Sequence, residues 1–168
     1  MNKKAFSILF LLGLSLILTA CGGKPGEAGN SQNQAAPAVS TAAAQFTGTS
    51  LAKDILSCFD QCVAEAAGLS FGKPEAAELT PKLQALYKRY EEKMIELNRK
   101  YLALKAENIS EFGAANIYLG ENRGKHVFNK DNTLSAAVAF YNFQKGDQAM
   151  VNLLSNEIVK LLDVAVKM

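Results

Sequence analysis

Thr80-Pro81-Lys82-Leu83-Gln84-Ala85-Leu86-Tyr87-Lys88-Arg89-Tyr90-Glu91-Glu92-Lys93-Met94-Ile95-Glu96-Leu97-Asn98-Arg99-Lys100-Tyr101-Leu102-Ala103-Leu104 is the stretch that decides the fold. Leu83, Tyr87, Tyr90, Met94, Leu97, Tyr101 and Leu104 recur at alternating steps of four and three. That spacing brings them onto one side of an α-helix as a heptad seam. Lys88, Arg89, Glu92, Lys93, Glu96 and Lys100 fall on the opposite face, and Glu96 and Lys100 stand in the favourable i,i+4 order. Thr80 is the expected cap and Pro81 the first helical residue, where a missing amide costs nothing. The tyrosines can bury their rings and keep their hydroxyls at a polar edge. The seam can close within one chain or join two.

The segments on either side repeat the pattern less regularly. Leu51, Ile55, Cys58, Phe59, Cys62 and Ala66 form a second stripe. It predicts a helix from Leu51 to Ala67, capped by Thr49 or Ser50 and stopped by Gly68. After Asn108 the apolar period fades. Ser110 to Leu119 suits a short helix. Gly120 to Asn132, polar and carrying two glycines, reads as an exposed loop with a small apolar dip at Val127 and Phe128. Thr133 is the expected cap of a third helix reaching Lys145. Val151, Leu154, Ile158, Leu161 and Ala165 mark a last helical stripe. Gly146-Asp147 is either a turn between two helices or a kink in one. A stop followed by a cap favours the turn.

Clusters of Val and Ile at period two are missing, so no sheet is expected. Amphipathic stripes joined by short connections imply an all-α, antiparallel bundle of three to four main helices over residues 49–168. A domain of about 120 residues is a common size for a single core.

The N-terminal residues have a different character. Lys3 and Lys4 precede an apolar run from Ala5 to Ile17, and Leu18-Thr19-Ala20-Cys21 follows. The run is about 13 residues, against roughly 20 needed to span a bilayer. It therefore reads as a signal segment and not a membrane helix. With its four-residue box it resembles the signal peptide of bacterial lipoproteins, whose cleavage box is Leu-(Ala/Ser/Thr)-(Gly/Ala)-Cys. The resemblance implies that residues 1–20 are removed, that Cys21 is lipidated on sulfur, and that its new amino group is acylated. Two or more acyl chains hold a protein firmly on a membrane. Position 22 is Gly, not the Asp of inner-membrane retention, which implies the outer membrane of the cell envelope. Between Cys21 and Gly48 the chain is rich in Gly, Pro, Ala, Ser, Thr, Gln and Asn. Such a composition cannot bury a core and suits a disordered, flexible tether. Its roughly 27 residues have a root-mean-square reach of about 26–31 Å.

The full chain carries 18 basic and 16 acidic residues, and without Lys3 and Lys4 the two numbers are equal. A neutral chain lacks the basic footprint of a nucleic-acid binder, so that partner class is set aside. Trp is absent and His126 is the one histidine, which excludes a histidine-rich metal site. No Ser or Cys pairs with a histidine in the manner of a nucleophile, and no glycine-rich phosphate loop follows a strand. The expectation is a non-enzymatic chain that needs no cofactor.

Two groups remain as candidate functional residues. Cys58 and Cys62, at i and i+4, stand about 5–6 Å apart at Cβ on one helical face, wider than the 3.5–4.5 Å of a relaxed disulfide. They read as buried thiols, as a strained local disulfide, or as soft ligands for Cu(I). Arg123, Lys125 and His126 crowd the expected loop and are candidates for a partner contact, with a solvated turn as the plainer reading. The favoured function is a lipid-anchored interaction module that binds or modulates another envelope protein. The alternative is a thiol-based carrier of copper or reducing equivalents using Cys58 and Cys62.

Overall fold

The computed structural model describes residues 47–168. Cys21, expected from the resemblance to carry lipid, the expected leader and most of the expected tether lie outside the described residues. Helix α1 spans Gly48–Ser70, α2 Ala76–Glu107 and α3 Ile109–Ala139. A π-helical turn, Phe140–Lys145, finishes α3. After Gly146 the chain reverses into a last helical run made of α4, Gln148–Asn152, a second π turn, Leu153–Glu157, and α5, Ile158–Ala165. Among the described residues there is no strand. No described helix is long and apolar enough to cross a membrane.

Cross-helix contacts give the directions. Gly48 meets Glu111, Lys53 lies over Tyr118, and Asp60 meets His126, so α1 and α3 run parallel. Tyr87 reaches Leu153, and Asn98 reaches Ala165 and Lys167, so α2 and the last run are also parallel. Arg123 pairs with Asp163 and Lys130 with Ser155, an antiparallel register. The result is an up-down-up-down bundle of four helical rods, the all-α architecture expected from the stripes.

The seam of α2 closes within the chain. Leu83, Tyr87, Tyr90, Met94 and Tyr101 are buried, and Leu97 and Leu104 are half-buried against the same core. The whole predicted stripe of α1 is buried with them. The seam hydroxyls find protein partners inside the bundle. Tyr87 donates to the Leu153 carbonyl (3.1 Å), Tyr90 to Glu65 Oε1 (2.6 Å) and Tyr101 to Asn116 Oδ1 (2.5 Å).

Several boundaries differ from expectation. Helix α1 starts earlier because Thr47 caps it, accepting from the Ser50 amide at 3.2 Å. It runs through Gly68 to Ser70, whose hydroxyl donates back to the Ala66 carbonyl at 2.8 Å. Helix α2 starts at Ala76, so Pro81 lies inside it and not at its first position. The cause is Leu79, which is fully buried. Its burial contributes about 1.5–3 kcal/mol, comparable with the ~3 kcal/mol that an interior proline costs. Glu78 and Lys82 add an i,i+4 pair at 2.6 Å.

The largest correction concerns residues 120–132, which form the middle of α3 and not a loop. Thr133 caps nothing; it is mid-helix and its hydroxyl donates to the Asn129 carbonyl at 2.9 Å. At residues 146–147 the favoured turn is present. Gly146 adopts φ 64°, a conformation open to glycine, and the Asp147 carboxylate caps the next helix by accepting from the Met150 amide at 2.9 Å.

The bundle has two distinct ends. Thr47, the α2–α3 junction and Met168 share one of them: Gly48 donates to Glu111 Oε2 at 2.5 Å, and Lys105 Nζ lies 3.6 Å from the Met168 sulfur. The other end holds the 71–75 connection and the Gly146 turn. There Tyr141 donates to the Pro74 carbonyl (2.6 Å) and Lys145 pairs with Glu75 (3.1 Å).

Candidate functional site

Cys58 and Cys62 are free thiols on the α1 face turned to the core. Burial pushes the Cys58 thiol up, with Lys93 opposing in part. Burial, reinforced by Cys58 and Glu65, pushes the Cys62 thiol up to about 12. A thiolate is the form that attacks or ligates, so both sulfurs are held in their unreactive form. Beside them, Tyr90 and Arg89 bind the Glu65 carboxylate from α2. The Tyr90 hydroxyl, followed by Arg89, holds that carboxyl below its usual range. The ammonium of Lys93 lies 4.2 Å from the centre of the Tyr90 ring. Among the described residues no group of three or more His, Cys, Asp or Glu could hold a metal ion.

Arg123, Lys125 and His126 are placed on a helix and not on a loop, and they are not brought together as one surface. His126 Nδ1 lies 2.8 Å from Asp60 Oδ2 on α1, and the carboxylate makes Nδ1 the donor. Arg123 crosses to Asp163 on α5 at 2.6 Å. Lys125 is exposed and donates to Asn122 of its own helix at 3.0 Å. Two of the three therefore tie helices together. Lys130 does the same more deeply: its ammonium is buried, pairs with Asp131 and donates to the Ser155 carbonyl in the second π turn at 3.1 Å.

A groove of about 690 Å³ opens between α3 and the last helical run. Leu119, Gly120, Gly124 and Val127 form its α3 side, and Val159, Leu162 and Val166 face them. Ile55 of α1 contributes to the lining, and Tyr101, Asn116 and Met168 stand at the end where the described chain begins. Arg123 is the charged side chain of the lining. Gly120 and Gly124 read as turn residues in the sequence. Their four-residue spacing on one helical face, one turn before Val127, was the signal that could have revealed the groove.

The opposite end carries a different surface. Phe71 is 90% exposed and Phe143 82%. Lys73 and Lys145 lie over the neighbouring Phe140 ring at 5.0 and 5.9 Å from its centre. No family model, curated protein or solved structure matches the chain.

Proposed function

We propose that this chain is a lipid-anchored envelope protein whose helical bundle is a non-catalytic interaction module, binding or modulating another envelope protein. The observation that carries this reading is the pair Phe71 and Phe143, nearly fully exposed at the end of the bundle away from Thr47. Exposed aromatic side chains serve as anchors at protein interfaces. Lys73, Lys145 and Glu75 supply a polar border at that end. The Leu18-Thr19-Ala20-Cys21 box supports the anchor, and Gly22 in place of Asp supports the outer-membrane location. The partner-facing end is then the one presented farthest from the tether.

Photo-crosslinking in intact cells tests the reading. A photoreactive phenylalanine placed at position 71 or 143 of the full chain is expected to capture one dominant envelope protein. Phe71→Ser in the chain labelled at 143, and Phe143→Ser in the chain labelled at 71, should reduce that capture. A Cys21→Ser chain should lose it. Absence of any adduct above background from both positions overturns the proposal.

A further inference from the structure

We infer that the groove between α3 and the last helical run is a binding site for a single-chain anionic amphiphile, a long-chain fatty acid. This inference rests on the groove alone and not on the protein contact proposed above. The volume, about 690 Å³, lies within the range of small-molecule sites, which are mainly apolar with a few placed polar groups. From Asn116 to Val127 the α3 wall runs about 16 Å, which suits an extended acyl chain better than a compact ligand.

The walls match that chemistry. Ile55, Leu119, Val127, Val159, Leu162 and Val166 give aliphatic surface from three helical rods. Tyr101 and Asn116 are polar but already bonded to each other, and the Asn116 amide also donates to the Phe112 carbonyl. They make no demand on a ligand. Arg123 is different. Its partner Asp163 is 65% exposed, and a surface pair of this kind contributes only about 0–1 kcal/mol. The guanidinium can exchange that partner for a ligand carboxylate at little cost, with bidentate geometry available.

The glycines explain why the space is there. A glycine inside a helix costs about 1 kcal/mol relative to alanine. Gly48 has a reason, because a Cβ there would lie 1.7 Å from the Glu111 carbonyl oxygen. Gly68, Gly113, Gly120 and Gly124 have no such contact: a Cβ at any of them would meet nothing within 4 Å, and none has positive φ. What sets Gly120 and Gly124 apart is their place on the groove. Their missing side chains keep a channel open along α3.

The mouth is also built. Asn98 of α2 donates to the carbonyls of Ala165 (3.0 Å) and Lys167 (2.9 Å), holding the chain after α5 in place as a wall. Met168 beyond it is exposed, and its thioether is the kind of flexible apolar group that adapts to a variable chain.

The test uses membranes from cells making the full chain, incubated with a diazirine derivative of palmitic acid and illuminated. UV-dependent adducts are expected on peptides from residues 116–127 and 158–168. Gly120→Leu with Gly124→Leu fills the channel and should remove them. Gly120→Ala with Gly124→Ala favours the helix, so a bundle at least as stable that labels less separates loss of the site from loss of the fold. Arg123→Gln should weaken competition by palmitate roughly tenfold, the worth of a charge-assisted bond, and leave competition by hexadecanol unchanged. Adducts on the exposed Phe71 and Phe143 peptides instead, or labelling that survives the double leucine variant, overturn the site. Equal competition by the acid and the alcohol in the parent chain overturns the assigned ligand class.

Discussion

At the scale of single residues, close approach and burial govern the outcome. Gly48 is where α1 meets α3 backbone to backbone, so Gly48→Ala has nowhere to put its methyl group. We expect a loss of about 3 kcal/mol, the upper end for overpacking, read as a lower midpoint in urea unfolding. Glu111 on the other side of this contact also accepts the Gly48 amide, so an anion sits at the positive end of α1. Cys62 shows what burial does to chemistry. Its thiol ionises near 9 when unfolded and about 12 when folded. The folded form therefore keeps its proton as pH rises through 9, while the unfolded form loses it. The stability linked to this group is complete below pH 9 and is lost between 9 and about 12. At pH 8 an alkylating reagent should label Cys62 only after denaturant is added, which mass spectrometry of the treated protein can follow. Labelling of the native protein would show that the thiol is open to solvent.

At the scale of elements, α2 was legible and the middle of α3 was not. The difference lies in what fills the inward stripe. In α2 every seam position is apolar or tyrosine, so a count of apolar period finds it. In α3 the inward stripe runs Ala115, Leu119, Arg123, His126, Lys130, Leu134 and Ala137, at steps of three and four. The helical period continues, but three consecutive members are cationic or titratable. Each is matched by a group on another rod: Asp163, Asp60 and the Ser155 carbonyl. Buried or half-buried polar groups that are paired do not break a helix. Their partners lie at sequence separations of 40, 66 and 25, beyond any local window. Pro81 misled for a related reason, since the burial of Leu79, together with the Glu78–Lys82 pair, offsets a local stop. Hydrogen exchange can check the reassigned segment. Amides from Glu121 to Asn132 should be protected as a helix is, and Lys130→Met should keep that protection while Lys130→Asp should reduce it. Exchange at loop rates across the segment would return it to the polar connection that its composition suggests.

At the scale of the whole molecule, the seam that could have joined two chains is spent inside one, against the stripes of α1 and the last run. The functional residues were less legible than the fold. The thiols were found with their burial. The charged residues at 123–126 read as part of a loop but stand on a helix, where Arg123 pairs with Asp163 and His126 with Asp60. The groove was hidden because glycine spacing has no meaning until α3 is known to be continuous. One further consequence follows from the shared location of the first and last described residues. Thr47 and Met168 both stand at the α2–α3 junction, and the two sharp turns, at Gly72 and Gly146, stand together at the other end. Residues 47 and 168 being neighbours makes the bundle they enclose suited to circular permutation once it is cut free of residues 1–46. Joining residue 168 to residue 47 in that bundle and reopening the backbone at Gly146 would keep the described helices, and would move a fused reporter from beside the groove to the far tip.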